Sequence, residues 1–290
     1  MLRTSEYFVF AGIVAVSLAL LCYVLAFAAV RVARARTLAT EGGGNVTATV
    51  GPADPGNLVL FGTLTTWLAL GFITAALLFR WFATGHGPFA NMYEFSIAFA
   101  WGSLLVYVCF LGRYRQWTTG LVVLPVALAL LLYATTIPSG AAPLVPALQN
   151  SLLLTVHVAV AVIAYGAFAV AFAAAVLYLL QPGGGRGPLP KRDLLDDLSY
   201  RATLIGFPFL TLTIVLGALW ADVAWGRYWS WDPKESASLI TWLVCGAYLH
   251  ARAARGWRGR RAALLLMVVF AATLFTYFGN LFFGGLHSYG

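Results

Sequence analysis

Four histidines and one tryptophan-rich stretch hold most of the chemistry this 290-residue sequence can offer. The stretch covers 225–235 and reads Trp225-Gly226-Arg227-Tyr228-Trp229-Ser230-Trp231-Asp232-Pro233-Lys234-Glu235. Trp225, Trp229 and Trp231 each combine a large apolar ring with an indole N–H that needs a polar partner. Such a cluster suits a platform for a large flat ligand or an aromatic belt at a membrane interface, and the residue types alone leave both open. His86, His157, His250 and His287 are the candidate metal ligands, because a neutral imidazole coordinates through one ring nitrogen while a hydrogen bond orients the other. Cys22, Cys109 and Cys245 each lie inside an apolar run with no Cys-x-x-Cys spacing. They read as small core residues rather than as disulfide or thiolate-metal partners.

The elements that must position these groups are membrane helices. With 61% hydrophobic and only 10% charged residues, the chain departs from soluble proteins, which carry about 25% charge. Eight apolar segments approach the roughly 20 residues needed to cross a bilayer: 7–30, 58–79, 95–111, 121–134, 152–180, 200–221, 236–250 and 262–283. The expected fold is an all-α polytopic bundle of about eight transmembrane helices, a single membrane domain over 1–290. The first apolar run is too long for a cleavable signal peptide. Of the 18 Lys and Arg, all but Arg3, Arg80, Arg227 and Lys234 follow helices one, three, five and seven. Basic flanks stay cytoplasmic, so both termini and the tryptophan loop are expected outside. Topology thereby accounts for the net charge of +8, and nucleic acid drops out as a partner. Residues 40–57 and 183–190 read as flexible connections, and 191–198 as a short surface helix. Asn45-Val46-Thr47 matches a glycosylation acceptor by chance.

This topology sorts the histidines by depth. His157 falls roughly 6 to 8 Å below the outer end of the fifth span. His287 follows Gly284-Gly285, a pair expected to end the eighth helix. The two can face each other in one layer under the tryptophan loop, an arrangement that describes a bis-histidine haem site. His250 is about 21 Å deep, near the cytoplasmic end, and serves either as an interfacial residue beside Arg252 and Arg255 or as part of a second, inner site. Asp232, Pro233 and Glu235 have the form of a capping box that clamps the loop to the seventh helix. Asn91 and Glu94 read as a cap on the third helix, with a ligand role for Glu94 as the alternative. His86 is either a ligand or a loop residue.

The stretch 225–235 resembles the tryptophan-rich WWD signature of haem-handling proteins. Leu239-Ile240-Thr241-Trp242, Tyr248-Leu249-His250, Gly256-Trp257-Arg258-Gly259-Arg260-Arg261 and Gly285-Leu286-His287-Ser288-Tyr289 are similar to its CcsA/ResC branch, and Pro88 to Glu94 resembles that branch's N-terminal signature. Ala237 departs from the pattern, which commonly has another tryptophan there. The resemblance implies the membrane subunit of System II cytochrome c biogenesis, in a bacterial cytoplasmic or thylakoid membrane. It implies haem b as transported substrate, with His157 and His287 as external axial ligands of the haem iron and His250 as one inner ligand. Trp225, Trp229, Trp231 and Asp232 would form the binding surface. A CcsB/ResB-like subunit and an apocytochrome c Cys-x-x-Cys-His motif are the implied partners, and the chain would be the haem-presenting part of a cytochrome c synthase. A haem transporter or chaperone without synthase activity needs the same histidines. A cytochrome b-like carrier would instead place its ligands within helix interiors.

Overall fold

The apolar runs all fold as helices. The computed structural model describes residues 1–41, 55–141, 151–181, 189–279 and 282–286. The elements are α1 (Leu2–Glu41), α2 (Gly56–Thr84), α3 (Met92–Tyr114), α4 (Gly120–Thr135), α5 (Ser151–Leu180), α6 (Arg192–Trp225), α7 (Pro233–Arg255) and α8 (Arg260–Phe278), with a 3-10 turn at Trp117–Thr119 leading into α4. No strand occurs among the described residues. Seven of these helices are long and apolar enough to cross a membrane. The remaining helix, α7, carries Lys234, Glu235, Arg252 and Arg255 in its terminal turns and has the most amphipathic pattern.

Two boundaries differ from expectation. The eighth span stops at Phe278, because the chain turns at Gly279, whose carbonyl accepts from the amides of Phe282 and Phe283 at 3.1 and 3.0 Å. Glycine is a poor helix former, so the helix ends there and not at Gly284-Gly285. No separate helix covers 191–198, since α6 continues unbroken for 34 residues. At about 50 Å it exceeds the roughly 30 Å hydrocarbon core, and its first turns extend beyond the apolar region. Asn45-Val46-Thr47 and residues 183–188 lie outside the described residues. Among the cysteines only Cys245 is buried; Cys22 is half-buried and Cys109 is exposed on the bundle surface.

The bundle is built around α3 and α5, whose apolar windows are 72% buried against 28% for α1, α2 and α6. They meet at two glycines. A Cβ placed on Gly102 would lie 2.5 Å from the Val162 carbonyl oxygen, and one on Gly166 2.3 Å from that of Gly102. Alanines such as Ala164, Ala167 and Ala171 extend the small-residue face of α5. Lipid offers helices no hydrophobic drive to associate, so this close backbone approach supplies dispersion contacts that larger residues would prevent. Around this pair, α1 and α2 pack together beside α3 and α4, while α6 and α8 pack on α5 and α7 lies against both.

Contacts between loops sort the helix ends into two layers. At one end Ser139 donates to Glu6 at 2.6 Å and the Leu286 amide to Asp232 at 2.7 Å, which gathers the N-terminus, 136–141, 226–232 and 282–286. At the other end Arg252 forks onto both oxygens of Asp196 at 2.8 and 2.7 Å, and the Gly259 amide donates to the same carboxylate at 3.0 Å.

The tryptophan end also holds a fully buried ion pair. Arg80 of α2 donates through Nε to Glu94 of α3, and both side chains are 1% exposed. The second Glu94 oxygen accepts from the Ala90 amide, while the Asn91 side chain accepts from the Glu94 amide at 3.0 Å, so the expected cap forms. Arg80 also lies 4.8 Å from the Tyr93 ring centroid and donates to the Gly140 carbonyl at 3.4 Å. Removing one partner strands a buried charge, whereas replacing both with apolar residues does not. Glu94→Leu should therefore cost about 3–5 kcal/mol, and Arg80→Met with Glu94→Leu should recover most of it. Thermal unfolding in detergent tests this; a double variant no more stable than the single one would show the pair is not the cause.

Candidate functional site

Where residues 226–232 cross the end of the bundle they roof a cavity bounded by α3, α5, α6, α7 and α8. It holds about 1060 Å³ of free space, counting its open mouth. Its enclosed part is about 100 Å³, below the roughly 300 to 1,000 Å³ of typical ligand sites, so a large flat molecule would occupy the open mouth as well. The walls are mainly apolar, with Phe95 and Phe99 from α3 and Val158 and Val162 from α5, and Tyr228 and Trp229 close the top.

One imidazole stands in this wall. His157 Nδ1 lies 2.9 Å from the Thr213 carbonyl of α6, so the tautomer protonated at Nδ1 donates there and Nε2 becomes the basic nitrogen. The ring stacks on Trp220 at 6.4 Å between centroids and 12° between planes. Gly217 permits the approach, since a Cβ there would lie 2.8 Å from His157 Cε1. Two turns of α6, from Thr213 to Trp220, therefore orient the imidazole by hydrogen bond, clearance and ring face.

The roof is held by two carboxylates. Gly226 closes α6 in the left-handed conformation, its amide donating to Asp222 O at 2.8 Å. Asp232 caps α7 by accepting from the Lys234 amide at 3.0 Å, with Pro233 in the first turn. Glu235 accepts from the amides of Ser230 at 2.8 Å and Asp232 at 3.2 Å, and from the Ser230 hydroxyl. These bonds hold Trp231 at φ 58°, a left-handed conformation that costs a non-glycine residue about 1–3 kcal/mol. The second oxygen of Asp232 accepts from the Leu286 amide, and Gly285 leaves the room for it.

The expected site residues are distributed unevenly. Trp229 lines the cavity; Trp231 meets it edge-on at 5.7 Å but is 71% exposed. Trp225 packs edge-on against Trp220 at 4.7 Å, behind the wall. His250 is exposed on α7 close to the Arg252–Asp196 fork, about 25 Å along the helix from Pro233. His287 lies outside the described residues; its sequence neighbour Leu286 is the residue tied to Asp232. His86 contacts the Gly87 carbonyl at 2.9 Å and is not part of the cavity lining. Ala237 is buried at 2% on the inner side of α7.

Trp220 and Lys234 join the cavity without having been expected there. Trp220, although it lies within an apolar span, is only 2% exposed and faces protein. Lys234, in the first turn of α7 outside the seven candidate spans, places its ammonium 4.8 Å from the Phe95 ring centroid. Removal from water lowers its pKa to about 8, against the opposing effect of Asp232. Its sequence position carried a signal, because a cation in a first helical turn opposes the helix dipole.

The geometry defines a class: polytopic helical membrane proteins with a histidine-bearing cavity beneath an aromatic loop at one bundle end. The chain belongs to the cytochrome c assembly protein family, whose model matches residues 89–287, a span that includes His157, the whole roof and His250. The cytochrome c biogenesis protein CcsA of Guillardia theta is 37% identical over 262 residues, covering 81% of this chain and 87% of that protein. CcsA of Gloeobacter violaceus is 35% identical over 291 residues, covering 79% and 86%. CcsA of Chlamydomonas reinhardtii is 41% identical over 226 residues, or 74% of this chain, and this chain spans only 64% of that relative's length. Among solved structures, the cytochrome c heme lyase CcmF superposes with a TM-score of 0.62 over 93% of this chain and 46% of its own. At 22% identity that likeness is one of fold.

Asp232 joins three chain segments through two oxygens, which separates its roles by substitution. Asp232→Asn offers one oxygen to two donors, so it should keep the α7 cap and release the 282–286 turn to proteases with little loss of Tm. Asp232→Ala should lose the cap as well, at about 1 kcal/mol. Limited proteolysis alongside thermal unfolding reads both effects, and an Asn variant with wild-type C-terminal protection would disprove the tether.

Proposed function

We propose that this chain handles haem in cytochrome c biogenesis, holding haem b in the cavity beneath the tryptophan loop and presenting it for attachment to apocytochrome c. The observation that carries the reading is His157 in an apolar, aromatic-roofed wall, oriented by Thr213 and Trp220. The residues fit the group: apolar walls suit a macrocycle, Trp229 adds an aromatic ring to the lining, and an imidazole of fixed tautomer suits the iron. Family membership and the CcsA relatives support the same process. His157 and His287 are assigned as the axial ligands of the cavity site. His250 is assigned to a second site at the basic end, completed by a CcsB/ResB-like subunit.

Attachment adds each cysteine thiol of Cys-x-x-Cys-His across a haem vinyl group. A C–S bond forms at one vinyl carbon and the thiol proton ends on the other. The step calls for little acid or base from the protein, and holding the reacting groups together supplies rate through proximity. By the distribution of Lys and Arg, the tryptophan end faces away from the cytoplasm, in a bacterial cytoplasmic or thylakoid membrane.

His157→Ala and His287→Ala should each abolish the haem absorption spectrum of the purified protein and reduce cytochrome c maturation to background, with partial rescue by added imidazole. Gly217→Val should weaken the same spectrum without removing a ligand, because its side chain meets the imidazole. Full maturation by both histidine variants without imidazole would overturn the reading.

A further inference from the structure

Five polar side chains lining the cavity, Thr213, Glu235, Ser238, Thr276 and Tyr277, are committed to protein partners. Glu235 is saturated by Ser230 and Asp232. The Thr276 hydroxyl pairs with Thr241 at 2.9 Å and that of Tyr277 with Ser96 at 2.6 Å. Thr213 and Ser238 turn their hydroxyls back onto carbonyls of their own helices at 2.8 and 2.7 Å. The Lys234 ammonium is different. It lines the cavity, lies over the Phe95 ring, and has no carboxylate within ion-pair distance among the described residues.

A cation at the first turn of a helix is opposed by the positive end of the macrodipole, and an apolar cavity withdraws the water that would otherwise solvate it. An anion arriving with the ligand relieves both costs, and the aromatic face beneath the ammonium limits where it can sit. We propose that Lys234 binds a carboxylate of the cavity's ligand, a propionate of haem, an assignment that rests on haem being the cargo.

The consequence is orientation. The propionates of haem share one edge of the macrocycle, and the vinyl groups lie away from it. An imidazole on the iron fixes the ring's depth and leaves it free to rotate about the axial bond. A salt bridge at Lys234 removes that freedom and leaves the vinyl side unclamped, available to incoming thiols. Lys234 thus acts as a binding residue that decides which edge is offered.

Haem and its dimethyl ester share the iron and ring but differ in the charge at this edge. Titration of each into the full chain in detergent, followed at the Soret band, tests the assignment. The wild-type protein should prefer haem by about tenfold, the ratio expected of one charge-assisted hydrogen bond. Lys234→Met should weaken haem to the level of the ester while leaving the ester unchanged, and Lys234→Arg should retain the preference. Equal binding of the two compounds by wild-type protein would overturn the role of Lys234 while leaving the haem reading intact, as would a Met variant that weakens both compounds equally. Flat titrations for both compounds with wild-type protein would overturn the haem reading and this assignment with it.

Discussion

The tryptophan end of this bundle depends on two carboxylates that replace water as partners for loop backbone. Asp232 and Glu235 are both buried, and between them they accept from the amides of Ser230, Asp232, Lys234 and Leu286. Without them, a loop roofing an apolar cavity would leave donors unsatisfied, each at a cost comparable to a lost hydrogen bond. With them, a short segment can hold one ring inward, another outward and a strained residue between α6 and α7. The same two side chains start α7 and tie down 282–286, so helix, roof and C-terminal turn are coupled through one small network.

Much of the architecture was legible in the sequence because it follows from local rules. Runs of apolar residues mark all eight helices, and Asp-Pro-x-Glu announces a capping box wherever it precedes a helix. Depth was legible too, since residue count along a helix converts directly to distance. Rotation about the helix axis was not. Trp220 reads as one more aromatic in a span until α6 is docked on α5, when it proves to face His157. Arg80 and Glu94 are recognisable as charges near one membrane face, yet their pairing depends on how α2 meets α3. Trp231 was grouped with its neighbours by spacing, but a left-handed backbone turns it outward. Lys234 was not singled out from the sequence, although the conflict of a cation in a first helical turn with the dipole can be read from position alone.

Family membership and fold likeness bear on different parts of this picture. The helical arrangement is shared with CcmF at 22% identity, so the scaffold tolerates extensive change in sequence. The carboxylate network, the glycine beside His157 and the lysine over Phe95 depend on individual side chains, to which a likeness of fold at that identity does not extend.

The contact between Gly102 and Gly166 divides the cavity walls by compliance. Backbone on α3 meets backbone on α5 at this crossing, beside the Val162 side chain, so neither helix can shift without an outright clash or a void. The opposite wall is joined differently, by the stacked rings of Phe207 and Trp242 at 5.5 Å and by the Trp242 indole on the Thr211 hydroxyl at 2.9 Å. Those contacts are made of side chains, which can change rotamer while their helices stay in place. The α3–α5 seam is in this sense an anvil, and adjustment of the cavity wall is cheaper on the α6–α7 side.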